Sequence, residues 1–359
     1  MPQQPKPQKD VVPLRTTHTG KTVLITGAGG CIGSALAKAI AKSGPGLVIL
    51  LDHSEQNLYE VHTELAAAAT GAPHIPILGD ISDDALLDEI LERHRPDAIY
   101  HAAAFKHVPL MEENPLAVIR NNVLGTLALA KAALRNDVAR LLMISTDKAV
   151  NPRSAMGAAK RVAELVLLRF SSSRTRMSAL RLGNVLGSHG SVLPLFQQQL
   201  ERGGPLTVTH PESRRYFLSL PETVELILAA AALGEDAGIL VPELGEPVKI
   251  VDLAKRMIQE ASRDGAAQSE IVFTALRPGD KLSEELVSAR ERTEPTGDSR
   301  LWRVNSTPIA PDALDSALQA ISEGVRSRNL ATLLEALCGI VPEYQPSDTL
   351  LSRLNLAPV

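Results

Sequence analysis

The sequence predicts an α/β protein, a doubly wound parallel sheet with a smaller C-terminal annex. Three observations carry this. Short apolar runs at 22–26, 47–51, 74–78, 98–101 and 140–145 alternate with longer stretches of helical spacing, the pattern of a parallel sheet covered by helices on both faces. A glycine-rich turn joins the first run to the helical string SALAKAIAKSG. A sixth run at 178–182 extends the sheet, after which the chain is irregular and richer in Gly, Pro and Arg up to about residue 286.

Residues 1–20 hold four prolines among the first thirteen positions and almost no apolar periodicity, which predicts a flexible tail. Residues 21–182 are expected to form the nucleotide-binding domain. Residues 183–290 should supply most of a substrate-binding annex, with one helix at 221–233 returning to the main domain. The segment 291–359 reads as a helical extension, with helices at 311–323 and 331–338 after a linker containing Glu294-Pro295-Thr296-Gly297-Asp298.

With 359 residues, 44% of them hydrophobic, the chain can bury a large core. A formal net charge of −4 gives no global basic field, so nucleic acid is not an expected partner and any anion must be held by a local pocket. Cys31 and Cys338, far apart, support neither a disulfide framework nor a cysteine-rich metal site, and no metal is expected. The opening MPQQPKPQKDVVP lacks the apolar core of a signal peptide, and no later segment is a long charge-free apolar run. A cytoplasmic protein without a membrane span is therefore expected.

In the turn Thr26-Gly27-Ala28-Gly29-Gly30-Cys31-Ile32-Gly33, residues Gly27, Gly30 and Gly33 stand where a dinucleotide loop needs a tight turn, close approach to a pyrophosphate, and close packing of helix on strand. Asp52 follows Gly33 by 19 positions, at the end of the second run. A carboxylate there accepts hydrogen bonds from the adenosine ribose and repels a 2′-phosphate, so the fold should be of the Rossmann type and the cofactor NAD rather than NADP. The expected contacts also include Cys31 and Ile32 in the loop, Asp80 and Ile81 after the third run, and Ala102 after the fourth. The competing reading is a plain glycine turn with Asp52 capping the next helix and Asp80 an ordinary turn aspartate.

The fifth run ends in Ser145-Thr146-Asp147-Lys148, and a helix carrying Met156-Gly157-Ala158-Ala159-Lys160 begins soon after. Strand ends of this kind line the ligand crevice of a doubly wound sheet. Met156 and Lys160 are four apart and share a helix face. In short-chain dehydrogenases this spacing belongs to Tyr-x-x-x-Lys, whose Tyr exchanges the hydroxyl proton and whose Lys holds the nicotinamide ribose. A thioether has no proton to exchange, so the proton must pass through another group, with Thr146 and Asp147 nearest in sequence. Asp147 beside Lys148 reads as an acid and base pair rather than a surface ion pair. Core packing for Met156 and a surface position for Lys160 are the competing reading.

The string Ser145-Thr-Asp-Lys-Ala-Val-Asn-Pro152, followed by Met156-Gly157 and Lys160-Arg161, resembles the CapD/PglF-like nucleotide-sugar dehydratases, which are extended short-chain dehydrogenases. LDHSEQNLYE at 51–60, HAAAFKHVPLME at 101–112 and NNVLGT at 121–126 look alike in the same order. So do RLGNVLGSHGSVLPLF at 181–196, LTVTHPESRRYF at 206–217, GEPVKIVDLAKRMI at 245–258 and LRPGDKL at 276–282. The resemblance spans most of residues 21–290 and implies 4,6-dehydration of UDP-N-acetylglucosamine. In that reaction NAD takes hydride from C4, the resulting ketone acidifies the C5 proton, water leaves across C5 and C6, and the hydride returns to C6.

By the same resemblance Lys148 removes the C5 proton, Asp147 protonates the departing C6 hydroxyl, and Thr146 bonds the C4 hydroxyl. The Met form at 156 looks like the C5-retaining branch. Arg215 and Arg277 are the implied phosphate ligands, since a guanidinium holds two phosphate oxygens at once. Asn184, Ser191 and Val192 resemble positions lining the diphosphate and uracil, and Lys106 should face the sugar. Two positions depart from the family pattern, which places Glu at Asp280 and Thr at Ser213 or Arg214. Longer relatives carry N-terminal membrane helices, whereas this chain begins almost directly at the cofactor strand and looks like a soluble version. A homo-oligomer is expected. Two other functions compete. A UDP-sugar 4-epimerase shares the first hydride step but needs no elimination at C5, so the Asp147–Lys148 pair speaks against it. The missing Tyr leaves room for an NAD-binding regulator without catalysis.

Overall fold

The apolar runs at 22–26, 47–51, 98–101, 140–145 and 178–182 are continuous rather than alternating because their strands lie inside the sheet and are covered on both faces. The run at 74–78 instead forms an edge strand that is only partly buried. The structure, a computed structural model, describes residues 18–188, 190–233, 238–263, 269–306 and 309–354. It opens with β1 (Thr22–Thr26), α1 (Cys31–Ala41), β2 (Leu47–Asp52), α2 (Glu55–Ala67), β3 (His74–Leu78), α3 (Asp84–His94) and β4 (Ala98–His101). Val23, Ile25, Val48 and Leu50 enter the core under α1 and α2, whereas Leu24, Ile49 and Leu51 enter the core on the opposite face. The chain continues through α4 (Val108–Glu113), α5 (Pro115–Ile119), a π-helical turn over Arg120–Gly125, and α6 (Thr126–Arg135) to β5 (Arg140–Thr146). A 3-10 turn at Asp147–Ala149 leads into α7 (Ala155–Phe170) and β6 (Arg176–Leu182).

Beyond β6 come β7 (Asn184–Val185), α8 (Val192–Glu201), β8 (Leu206–Val208), β9 (Arg214–Arg215), β10 (Phe217–Leu218) and α9 (Leu220–Ala232). Then follow β11 (Gly238–Pro242), β12 (Val248–Lys249), α10 (Ile250–Arg263) and β13 (Ile271–Phe273). The annex has its own small core of Phe196, Leu206, Val208, Ile250 and Ala254, held by short strand pairs. The expected helix at 221–233 is α9; a capping box between Ser219 and Glu222 starts it, and its Val224, Ile227 and Leu228 join the core under α1.

Three strands from the later part of the chain return to the main sheet. β11, a run of five buried residues, lies parallel to β6. β14 (Arg292–Pro295) and β15 (Leu301–Asn305) add two antiparallel strands beyond it. The segment after residue 290 is thus not helical throughout; β14 occupies part of the expected linker before α11 (Pro311–Arg326), α12 (Leu330–Ile340) and α13 (Asp348–Leu354). Residues 1–17 of the expected tail lie outside the described residues. His18 is buried, with its Nε2 2.7 Å from the Tyr100 hydroxyl, so it packs with the domain.

The main sheet runs β14-β15-β11-β6-β5-β4-β1-β2-β3 among the described residues, and every pairing from β3 to β11 is parallel. The chain leaves β1 toward β2 and β3, then returns to β4 on the other side of β1. Strand order therefore reverses between β1 and β4, and a ligand crevice opens over the carboxyl ends of those strands.

A buried ionic network fixes α7 against this sheet. The Glu164 carboxylate on α7 accepts hydrogen bonds from Ser145 at 2.7 Å, from Arg181 Nε and Nη2 at 2.9 Å each, and from Arg161 at 3.0 Å. Arg181 also donates to both oxygens of Glu291 at 2.8 Å and to the Leu286 carbonyl at 2.9 Å. Burial pushes the Glu164 carboxyl upward, but the two arginines and Ser145 outweigh it and leave it ionised. Removing one partner from such a cluster strands the others in the interior. Arg181→Met should therefore cost about 3–5 kcal/mol of unfolding free energy, to be measured by urea titration; a loss under about 1 kcal/mol would show that water reaches the stranded carboxylates.

Candidate active site

The glycine turn forms the floor of the crevice. Gly27 has φ +66°, and a Cβ there would lie 2.6 Å from the backbone of Ala103 after β4. A Cβ on Gly33 would lie 2.0 Å from the Gly27 carbonyl oxygen, so α1 sits directly on the turn. Gly30 serves as the N-cap of α1, leaving the amides of Cys31, Ile32 and Gly33 as first-turn donors without helical acceptors. Gly29, which the spacing did not single out, would place a Cβ 2.5 Å from Asn57 of α2.

Asp52 is buried, accepting the Gly29 amide at Oδ2 and the Ser54 amide at Oδ1, both at 2.9 Å. The cap of α2 is the Ser54 hydroxyl, so Asp52 ties the end of β2 to the glycine turn instead of capping the helix. Asp80 is exposed and accepts the Ser82 amide at 2.7 Å, a local turn contact. Ile81 is buried and would meet any side chain placed at Gly125 of the π-helical turn. Ala102 donates its amide to the Thr26 carbonyl at 3.0 Å, keeping β4 beside β1 at the crevice.

His101, just before Ala102, bridges Thr26 at 2.8 Å and Thr126 at 2.9 Å through its two ring nitrogens. The sequence reading did not isolate it, because an apolar strand ending in a His offers no spacing to interpret. Burial first, and the Lys160 charge second, lower its pKa to about 3, so it is neutral at working pH. It clamps β1 to α6 across the crevice floor.

At the end of β5, Thr146 Oγ1 donates to Asp147 Oδ1 at 2.9 Å, and Lys148 Nζ donates to the same oxygen at 2.9 Å. Lys148 Nζ also reaches Asn184 Oδ1 at 3.0 Å, so Asn184 belongs with this pair. Asp147 is fully buried and its Oδ2 has no partner among the described residues. Burial pushes the Asp147 carboxyl upward; Lys148 opposes this and Glu284 adds to it. Burial pulls Lys148 downward, but Asp147 and Glu284 outweigh it and the net direction is up. The cluster therefore holds its protons firmly, with an acid that can carry one and an amine kept charged at rest.

Met156 and Lys160 are both buried on α7, and Met156 packs into the large core. Burial lowers the Lys160 pKa to about 8, with Glu164 acting in the opposite direction. Lys160 is thus an amine whose charge is costly to keep in its buried place. Lys106 is exposed after β4; partial burial lowers its pKa while the nearby Cys31 acts the other way.

The annex residues divide. Ser191 is the N-cap of α8 with a buried, unpartnered hydroxyl among the described residues, and Val192 begins that helix against the annex core. A Cβ on Gly190 would lie 2.5 Å from the His107 ring, so this loop closes over the segment carrying Lys106. Arg215 is buried, and its guanidinium donates to the carbonyls of Arg214, Lys281 and Leu282 at 2.7, 2.9 and 3.2 Å. Arg277 lies on the exposed rim, paired with Asp280 at 2.8 Å. It lines an open cleft of about 690 Å³ with Asn151, Arg153, Asp280 and Lys281, and Lys148 is not among the cleft's walls. Lys281 of that cleft and Lys148 both contact the buried Glu284, which the sequence reading missed because a Glu in SEEL carries no catalytic spacing.

The profile of a family described as polysaccharide biosynthesis protein matches residues 23–306. The chain is 48% identical over 285 residues to the capsular polysaccharide biosynthesis protein CapD of Staphylococcus aureus, covering 79% of this chain and 47% of that one. It spans about half the length of CapD. A UDP-glucose 4-epimerase of Rickettsia rickettsii is 35% identical over 279 residues, 76% of this chain and 79% of that one. The structure of DesIV, a dTDP-glucose 4,6-dehydratase of Streptomyces venezuelae with NAD and TYD bound, has the same fold. There the TM-score is 0.64 at 24% identity, over 74% of this chain and 88% of that one. Among the described residues no helix is long and apolar enough to cross a membrane.

His101 generates a pH dependence of stability. Its native pKa lies below the unfolded value of 6.5, so its contribution is complete above that pH and is lost as the pH falls toward about 3. The loss between neutral pH and about pH 5 should be about 2 kcal/mol. His101→Asn should start less stable at neutral pH but lose about 2 kcal/mol less over that interval, read from urea unfolding at both pH values. Parallel losses in the two proteins would mean that His101 does not carry this effect.

Proposed function

The chain belongs to the polysaccharide biosynthesis protein family, as a CapD-like extended short-chain dehydrogenase, and on that premise we propose that it uses NAD to dehydrate UDP-N-acetylglucosamine across C5 and C6. The product is the 4-keto-6-deoxy sugar nucleotide. One observation carries the reading: an acid, a base and a hydroxyl meet at a single buried oxygen, Asp147 Oδ1, at a strand end beside the crevice.

The residues present fit the cofactor. A Cβ at Gly27 or Gly33 would fill the place of closest backbone approach, the α1 amides offer donors to a pyrophosphate, and Lys160 is a buried cation able to bond ribose hydroxyls. When bound, NAD supplies a hydride acceptor for C4 and the hydride later returned to C6. Thr146 bonds the C4 hydroxyl and passes its proton to Asp147 Oδ1. Lys148, once its resting ammonium has released a proton to solvent, takes the C5 proton, which the C4 ketone has made acidic. Asp147 gives its proton to the departing C6 hydroxyl, and water leaves. Met156, packed in the core, moves no proton, in keeping with retained configuration at C5. Arg277 is the phosphate ligand of this reading, while Arg215 holds the 281–282 backbone in place. The enzyme works as a homo-oligomer in the cytoplasm.

The rickettsial relative supports a second reading, a UDP-sugar 4-epimerase. The two readings differ in mass balance, since only dehydration removes water. Incubation with UDP-N-acetylglucosamine should give a product lighter by one water; an isomer of unchanged mass would establish the epimerase instead.

In the dehydratase reading Lys148→Met should bind NAD but cease to exchange the C5 proton with deuterated solvent. Asp147→Asn should slow water loss by about 10²- to 10⁴-fold, as for loss of a general acid. Met156→Ala should cost only packing. Near-normal exchange in Lys148→Met, or an equal loss in Met156→Ala, would sink the assignment.

The cofactor assignment has its own test. Asp52→Ala combined with His53→Arg should move nucleotide preference toward NADP, because a carboxylate that repels the 2′-phosphate is replaced by a cation beside it. An unchanged ratio of NAD to NADP affinity, read by fluorescence titration, would show that Asp52 serves the glycine turn alone.

A further inference from the structure

Glu284 is the buried group that the proposed reaction leaves without a task. Its Oε1 lies 3.6 Å from Lys148 Nζ and 3.8 Å from Arg215 Nε, and its Oε2 lies 3.5 Å from Lys281 Nζ. Three cations from three segments thus converge on one carboxylate whose side chain is 2% exposed. Its backbone is pinned: the Arg214 amide donates to the Leu282 carbonyl at 2.9 Å, and Ser283 bridges to Arg214. Among the described residues Oε2 has no hydrogen bond. The carboxylate is held chiefly by the charges of Lys148, Lys281 and Arg215, and acts on those neighbours in the same way.

The groups facing Lys148 are Asp147 on its own turn, Glu284 and Lys281 from the loop after Arg277, and Arg215 from β9. Tyr216 stands beside Asp147. Asp147 is the hydrogen-bonded counter-ion of Lys148 at rest. In dehydration, however, Asp147 must carry a proton at the moment Lys148 gains one, and a neutral carboxyl no longer balances an ammonium. Of the groups in contact with Lys148, Glu284 is then the one still anionic, since Lys148, Lys281 and Arg215 favour its ionised form.

We propose that Glu284 is a positioning residue acting through Lys148, the standing counter-charge for the ammonium formed when Lys148 takes up a proton while Asp147 holds its own. The proposal rests on the dehydratase reading for its catalytic consequence, but the electrostatic part stands apart from turnover. Without the carboxylate, Arg215 and Lys281 face Lys148 uncompensated and make it a weaker base.

The test compares Glu284→Gln, which keeps shape and removes charge, with Glu284→Asp, which keeps charge at a longer reach. Lys148 is 21% exposed and open to acylation. Its labelling by acetic anhydride is followed against pH in the NAD-loaded proteins, with the peptide containing residue 148 quantified by mass spectrometry. Glu284→Gln should be labelled about tenfold faster at neutral pH, because an opposite charge within 4–6 Å shifts an amine's titration by a unit or more. Glu284→Asp should fall between Gln and wild type, and it carries the comparison alone if the Gln variant does not fold. The rising limb of C5 proton exchange should move to lower pH in the same order, with a reduced plateau. Identical labelling curves in the folded variants would overturn the proposal. A shifted labelling curve with no C5 exchange in wild type would uphold the role of Glu284 and remove the dehydratase reading.

Discussion

The fully buried carboxylate of Glu164 is the constraint on which the rest of the site depends. Ser145 on β5, Arg181 on β6 and Arg161 on α7 all donate to it. A charge this deep is tolerated only if every partner is present, so α7 can neither slide nor rotate without stranding one of them. Lys160 is one helical turn before Glu164, and Thr146 is the residue after Ser145. The network therefore fixes Lys160 and the Thr146-Asp147-Lys148 turn relative to each other. Through Glu291 it reaches across to the segment between annex and β14, so the same charges seat the annex on the sheet.

Much of this was legible in the sequence because the governing forces are local and periodic. Five of the six strands and the crevice followed from apolar runs that survive where both faces are buried, and the sixth, β3, is a partly exposed edge strand read from its place in the alternation. The glycine turn was legible at Gly27, Gly30 and Gly33 because strand, turn and helix occur in order, and the packing shows why no side chain fits at Gly27 or Gly33. The Thr146-Asp147-Lys148 string was legible because it ends a buried strand, where polar residues need a reason. The resemblance to a dehydratase family, in turn, rested on strings spread over most of residues 21–290.

What was not legible depends on contacts between distant parts of the chain. β11, β14 and β15 are short, and only their pairing with β6 and with each other makes them sheet. Arg215 resembles a phosphate ligand in its motif, and its guanidinium also ties down the carbonyls of Lys281 and Leu282. No spacing rule could have found that, since the acceptors lie 66 and 67 residues away. Glu284 was missed for the same reason: two of the three cations around it, Lys148 and Arg215, are brought to it by the fold. Gly29 was passed over because its need arises from α2, which approaches the turn from outside the motif.

In the proposed reaction the Met at position 156 leaves proton transfer to the groups at the end of β5. A Tyr at that position would add a hydroxyl on the helix that can exchange a proton. Here α7 contributes a thioether to the core, and in that reading acid, base and hydroxyl all come from one short turn. That turn has to be rigid, because a misplaced acid would protonate the wrong oxygen. Gly157 provides the rigidity: a Cβ there would lie 2.4 Å from the Lys148 carbonyl oxygen, so the helix backbone rests directly on the turn. Ser154 caps α7 at that same contact, accepting the Gly157 amide at 3.0 Å. The proposed proton route at the strand end thus depends on α7 pressing against the turn, on a single glycine that allows it, and on a buried ionic lock that holds the pair in place.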